Sequence, residues 1–257
     1  MDFDLFGSNV FGIIRGHDMC EICNQKSRRK FLAGSMAGIA AVGMMGWSSV
    51  ANAASKLAPT SLTPDEALAK LKEGNAKFVN APELCASNLG MKRDALTGGQ
   101  APWATVLGCA DSRVHPEMIF GGLELGELFV CRNAGNMADT ATMGTIEYGA
   151  AVLGSPLIVV LGHEKCGAVQ AACEVAEKGT ELPGFIGPMV DDILPAAIAM
   201  RGKEGDFVSN VIHESAKRTA FRISQESAIV SRLVGEGKVK IVYAIYSLDT
   251  GVVEFLG

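Results

Sequence analysis

The chain has 257 residues, of which 48% are hydrophobic and 20% charged, with a formal net charge of −5. That balance suits one globular α/β domain with a sizeable core and excludes an extended disordered protein. It also gives no electrostatic footprint for nucleic acid or anionic lipid headgroups, whereas a small uncharged substrate meets no such obstacle.

Residues 1–53 read apart from the rest. Ser27-Arg28-Arg29-Lys30-Phe31-Leu32 precede an apolar, Gly- and Ala-rich stretch over residues 33–47, and Ala51-Asn52-Ala53 fits a small-residue cleavage pattern. The arrangement resembles a twin-arginine signal peptide, so residues 1–53 are expected to be cleaved and residues 54–257 to form a single domain exported folded to the periplasm. A transmembrane anchor is the rival reading, but about fifteen residues fall short of the roughly 20 needed to span, and no stable membrane anchor is expected. The arginine pair lies deep, and an internal start at Met19 gives a leader of more ordinary length. Cleavage removes four acids (Asp2, Asp4, Asp18, Glu21) and five bases (Arg15, Lys26, Arg28, Arg29, Lys30), taking the net charge from −5 to −6. It also removes Cys20 and Cys23, leaving cysteines at 85, 109, 131, 166 and 173. An odd number of thiols makes no disulfide framework, and Cys173 reads as helix core.

Thr63-Pro64-Asp65-Glu66 opens a helix, with a capping Thr, Pro in the first turn and Glu three residues after the cap. Leu68, Leu71 and Phe78 form its apolar stripe. Strands are expected over residues 104–109, 128–132, 157–161 and 239–247, alternating with helical segments such as 140–153. That alternation predicts a mostly parallel central sheet flanked by helices. Asp249-Thr250-Gly251 followed by residues 252–256 reads as a hairpin adding an antiparallel edge strand. Pro183, Gly184, Gly187 and Pro188 mark one break and residues 202–206 another, and a single long helix is expected between 207 and 234.

Two clusters carry the chemistry. Cys109-Ala110-Asp111-Ser112-Arg113-Val114 and Gly162-His163-Glu164-Lys165-Cys166-Gly167-Ala168 each follow an apolar run, residues 103–107 and 157–161, so both lie on loops at one sheet edge. Two thiolates and an imidazole fill three corners of a tetrahedral zinc site and leave the fourth to water, as in a catalytic centre. Cys131 and Cys173 are poorly placed to close it. The bland alternative for the second cluster is a tight strand-to-helix turn. Cys166 should begin a helix, where the dipole favours its thiolate. Asp111 lies close enough either to ligate zinc or to accept a hydrogen bond from zinc-bound hydroxide. Arg113 can hold that carboxylate bidentately, keep it ionised and draw it off the metal, although the two also make sense as an ion pair bracing a loop. Two thiolates offset the metal charge, so the bound water should be less acidic than in an all-histidine site and activity should rise toward alkaline pH.

The clusters resemble the β-class carbonic anhydrases, whose zinc ligands come from a C-x-D-x-R loop and a later H-x-x-C loop. The likeness extends, in the family's order, through Gln100-Ala101-Pro102, Pro116-Glu117-Met118-Ile119-Phe120, Gly126-Glu127-Leu128-Phe129-Val130, Arg132-Asn133-Ala134-Gly135-Asn136 and Ile146-Glu147-Tyr148. It implies a β-carbonic anhydrase-like α/β fold over residues 54–257. It also implies one Zn2+ per subunit on Cys109, His163 and Cys166, with Asp111 ligating only when the gate formed by Asp111 and Arg113 closes the site. The activity implied is reversible hydration of CO2 to bicarbonate and a proton. Gln100 matches a position whose amide donates to a substrate oxygen, and Phe129 and Tyr148 match aromatic pocket positions. The family builds that chamber across a dimer interface, so a homodimer or dimer of dimers is implied, with amino-terminal helices lying across the partner. The stripe of the first helix is therefore either interface or private core, and Phe129 and Tyr148 are either pocket or core aromatics. A Trp that some members carry three residues before the first zinc Cys, at an inhibitory bicarbonate site, is replaced by Val106. Relatives with the same ligands hydrolyse COS or CS2, and a non-catalytic zinc-binding module is the third reading.

Export bears on the metal as well. The twin-arginine route carries folded proteins, which suggests zinc insertion in the cytoplasm, where thiols stay reduced.

Overall fold

The computed structural model describes residues 58–81 and 95–257. The expected leader, with Cys20 and Cys23, and Cys85 lie outside the described residues. Helix α1 (Pro64–Asn80) opens with the capping box expected of it: Thr63 Oγ1 accepts from the Glu66 amide, and the Glu66 carboxylate accepts from the Thr63 amide at 2.8 Å. A 3-10 turn at Ala95–Gly98 precedes strand β1 (Ala104–Cys109). The short helix α2 (Pro116–Ile119), strand β2 (Leu128–Asn133) and helix α3 (Thr140–Glu147) follow. Helix α3 runs on into a wider π turn at Tyr148–Val152. Strand β3 (Leu157–His163) leads into α4 (Gly167–Lys178), then come the short helices α5 (Ile186–Val190) and α6 (Leu194–Met200). Helices α7 (Phe207–Glu226) and α8 (Ala228–Gly235) precede β4 (Lys240–Tyr246) and β5 (Val253–Leu256).

The five strands lie in the order β2-β1-β3-β4-β5, with the first four parallel and β5 antiparallel to β4. The α/β sheet and its antiparallel edge are as the sequence predicts. Both faces of the central strands are covered, so β1 and β3 read as continuous apolar runs and not as alternating ones. Ala104 and Val106 of β1, with Leu157, Val159 and Leu161 of β3, pack toward Leu71 of α1 and toward Ile119 and Phe120. On the other face, Leu107, Cys109, Ile158 and Val160 meet Val169 of α4, Ala196 of α6, and Val211 and Ala216 of α7. Cys109 thus belongs to the same core layer as Cys166.

The stripe of α1 is largely spent within the subunit: Leu71 is fully buried, and Leu68 and Phe78 pack half-buried against the same cluster. The long helix expected between 207 and 234 is two helices. Ser227 ends α7 and caps α8, its hydroxyl accepting from the Val230 amide at 3.1 Å and donating to Glu147 Oε1 at 2.6 Å. The segment read as a break near 183–188 holds α5. Cys173 is buried in the core as expected. No helix among the described residues is long and apolar enough to cross a membrane.

Candidate metal centre

Strand β1 is followed in sequence by β2 on one side of it, and β3 pairs on the other. The carboxyl ends of β1 and β3 therefore flank the point where the strand order reverses, the place where open parallel sheets leave a crevice for ligands. Cys109 is the last residue of β1 and His163 the last of β3. Cys166 is the residue before α4, so its sulfur faces that helix's amino end.

The two sulfurs lie 3.9 Å apart. Donor atoms of Cys109, His163 and Cys166 all fall within 4.8 Å of one another, the one such group among the described residues. All three side chains are buried. His163 Nδ1 contacts the Glu164 carbonyl oxygen at 2.8 Å, and because a carbonyl only accepts, Nδ1 carries the proton. Nε2 is then a bare lone pair, buried and without a hydrogen-bond partner. The Cys109 thiol is pushed down, chiefly by its contact with the Cys166 sulfur, with a further bond from the Gly135 amide. The same sulfur contact and burial push Cys166 up. Contact between the two sulfurs and their burial make it costly for both to be thiolates unless a cation lies beside them. Two adjacent sulfurs and an orphaned imidazole nitrogen are a donor set that a soft or borderline divalent ion completes, and the residues fit zinc.

Asp111 sits outside that group. Arg113 takes its carboxylate three ways: Nε donates to Oδ1 at 2.9 Å, Nη2 to Oδ2 at 2.7 Å, and the Arg113 amide to Oδ1 at 2.9 Å. The guanidinium holds the Asp111 carboxyl well below the usual carboxylate range. Oδ2 remains 3.9 Å from His163 Nε2, at the rim of the donor group. Arg113 Nη2 also reaches the Lys165 carbonyl at 3.4 Å, and Lys165 turns that carbonyl by adopting φ 54°, a left-handed conformation unusual for lysine.

Three further residues serve the site without being expected to. Arg132, at the end of β2, donates from Nε to the Cys109 carbonyl at 2.8 Å and from Nη2 to the Asp111 carbonyl at 2.6 Å, tying down the loop that carries both. The Gly135 amide donates to Cys109 Sγ at 3.4 Å. A Cβ on Gly135, at φ +86°, would stand 2.7 Å from Ile193 Cδ1. Glu164 holds the loop from the other side. For Arg132 and Gly135 the signal in the sequence was the Arg132-Asn133-Ala134-Gly135-Asn136 run, whose contacts involve backbone atoms, whereas Glu164 lies inside the second cluster itself.

The pocket residues are not gathered at this centre. Phe129 pairs in register with Thr105 while Asn133 pairs with Cys109, so Phe129 lies four positions, roughly 13 Å, back along the sheet. It stacks obliquely on Tyr148 with ring centroids 5.9 Å apart, and both rings are only half-buried. Gln100 precedes the start of β1, whereas Cys109 ends it. Cys131 and Cys173 stand apart too, their thiols pushed up to about 11 by burial.

A mostly parallel sheet with two thiols and an imidazole converging at its switch point, and an arginine-held aspartate at the rim, is the class of site that β-carbonic anhydrases carry. The comparisons agree. The carbonic anhydrase family model matches residues 104–253. Carbonic anhydrase 2 of Mycobacterium tuberculosis is 40% identical over 192 residues, covering 73% of this chain and 90% of that protein. The carbonic anhydrase of Mycolicibacterium smegmatis is 37% identical over 191 residues, 74% of this chain and 92% of its own. The Coccomyxa β-carbonic anhydrase, solved with acetazolamide, superposes with a TM-score of 0.57 at 28% identity, covering 74% of this chain and 86% of that one. The chain belongs to the carbonic anhydrase family, β class.

Proposed function

We propose that the chain hydrates CO2 reversibly to bicarbonate and a proton, at a zinc ion held by Cys109, His163 and Cys166. The observation that carries this reading is the buried, partnerless His163 Nε2 facing two sulfurs 3.9 Å apart, with Asp111 beside it but in the grip of Arg113. When bound, zinc supplies an acidified water as nucleophile. Arg113 keeps Asp111 ionised and holds its carboxylate at the rim of the donor group, so that Asp111 would not take the place of a water there. Asp111 Oδ2 takes one bond from Arg113, and its second lone pair would be able to accept a hydrogen bond from a water at the donor group and orient it. Gly135 and the start of α4 direct partial positive charge at the two sulfurs, which steadies them as thiolates.

Gln100, Phe129 and Tyr148 support the reading only if they meet the metal of a second copy, since within one chain the sheet separates them from it. A homodimer, or a dimer of dimers, that pairs the half-buried Phe129 and Tyr148 face with the partner's metal centre completes an apolar chamber suited to CO2. Export to the periplasm through the twin-arginine signal, with cleavage before Ala54, rests on the sequence of residues 27–53, and amino-terminal sequencing of the exported chain tests it.

Stopped-flow CO2 hydration with a pH indicator, on the chain from Ala54 with zinc quantified in the same sample, tests the activity. Rapid zinc-dependent proton release is expected, rising toward alkaline pH. A folded, fully metallated sample that releases none would overturn the reading, in favour of COS or CS2 hydrolysis if those substrates turn over and of a non-catalytic zinc-binding module if they do not.

A further inference from the structure

We infer that Glu164 is a positioning residue for the metal centre, and that the turn between β4 and β5 is the anchor it works against; this rests on the reading that Cys109, His163 and Cys166 hold a metal. Two consecutive residues divide the work. His163 presents its Nε2 to the donor group, and its Nδ1 donates to the Glu164 carbonyl at 2.8 Å. The ring's orientation and tautomer are therefore only as fixed as that carbonyl.

Three bonds fix it. The Glu164 amide donates to the Tyr246 carbonyl at 3.0 Å, which carries the pairing of β3 with β4 one residue past His163. The half-buried carboxylate then reaches across, its Oε2 accepting from the Ser247 hydroxyl at 3.0 Å and from the Leu248 amide at 3.0 Å. Ser247 and Leu248 open a turn that is closed on itself: the Gly251 amide donates to the Ser247 carbonyl at 3.0 Å and the Ser247 amide to the Val252 carbonyl at 2.9 Å. From the far side Asn75 of α1, itself buried, donates to the Gly251 carbonyl at 2.9 Å and accepts from the Val253 amide at 2.8 Å. Glu164 is thus clamped to a rigid feature contributed by a distant part of the chain. The neighbouring contact of Lys165 Nζ with Asp249 at 3.1 Å joins the same turn, but both side chains are exposed and it adds little.

A carboxylate that merely stapled the hairpin would leave the metal indifferent to its loss. One that holds the carbonyl behind a ligating imidazole should alter the metal itself, because outer partners of a ligating histidine set its orientation and basicity. The test uses cobalt(II) in place of zinc, reading the visible absorption bands of the bound ion and its rate of transfer to a chelator in Glu164→Ala, Glu164→Gln and Ser247→Ala. Glu164→Ala should shift the bands and release metal about 10–100-fold faster. Glu164→Gln keeps one oxygen able to accept both bonds and should restore the parent spectrum and release rate. Ser247→Ala removes one of the two donors and should change both in the same direction but less, which keeps the test open if Glu164→Ala does not fold. Parent-like bands and release in Glu164→Ala overturn the inference, as does a Gln variant that loses metal as fast as the Ala variant, or a Ser247→Ala variant unchanged in both. A parent chain that binds no cobalt fails differently, removing the metal reading beneath it.

Discussion

At the scale of single residues, the geometry around Asp111 sets a direction for pH. Its carboxyl is held below the ordinary range chiefly by the bonds from Arg113, so the folded state binds that proton more weakly than the unfolded state does. A depressed carboxylate adds stability that is fully present above the ordinary carboxylate range and is lost as pH falls through and below it. Arg113→Ala should therefore unfold at a lower temperature than the parent near neutral pH, and the difference should shrink as pH drops toward 3, a comparison thermal scans make directly. Because Arg113 is half exposed, that stability effect is small. The functional effect is larger: a carboxylate released beside the donor group competes for the position water needs, and kcat should fall by about 10²-fold or more in folded, zinc-loaded protein. Simple unfolding, with no active-site loss in the fraction that folds, would reduce the pair to a loop brace.

Gly135 makes a second prediction at this scale. An added Cβ there meets both a left-handed backbone and the Ile193 side chain, so Gly135→Ala should cost about 1–3 kcal/mol. Displacing its amide also removes one of the bonds that lower Cys109, and alkylation of the metal-free protein should show that thiol reacting at higher pH than in the parent. Gly135 and Arg132 were not legible in the sequence as site residues because they act on Cys109 through a sulfur contact and a backbone carbonyl, across the β1–β2 pairing that puts Cys109 opposite Asn133. The donor group was legible because each motif is local, five residues from Cys109 to Arg113 and four from His163 to Cys166, and follows an apolar run.

At the scale of elements, legibility tracks how locally an element is determined. Strands β1 and β3 are buried on both faces, which leaves an unbroken apolar run with nothing else to be, and the capping box of α1 is written within four residues. The break between α7 and α8 is not local. Ser227 sits in a pattern that would continue as a helix, and it becomes a cap where its hydroxyl also finds Glu147, 80 residues away. The wide turn at Tyr148–Val152 is similarly set by packing, since a Cβ on Gly149 would lie 2.7 Å from Thr105 Oγ1. Asn75 is the element-scale residue with most to lose. It is buried within α1 and makes three hydrogen bonds, donating to the Ile119 and Gly251 carbonyls and accepting from the Val253 amide. Asn75→Ala leaves those groups without partners and should destabilise by about 2–4 kcal/mol, read as a lower urea midpoint at unchanged slope.

At the scale of the whole molecule, the sheet imposes a constraint that no single residue reveals. Strand β1 is six residues long, roughly 17 Å between its end Cα atoms, with Gln100 before its start and Cys109 at its finish. The proposed use of Gln100 on substrate at a metal is then a use in trans, and it can be tested without a structure of the dimer. Gln100→Ala impairs the donor and Cys166→Ser impairs the metal centre, so each variant alone should have low activity. When the two chains are unfolded together, refolded with zinc and allowed to pair, a mixed dimer carries one centre with intact ligands and an intact Gln100 from the partner. Random pairing makes half the dimers mixed, each with one working site of two, and about a quarter of the parent activity should return. If Gln100 acts within its own chain, every centre in the mixture lacks one essential part and activity stays at the level of the separate variants.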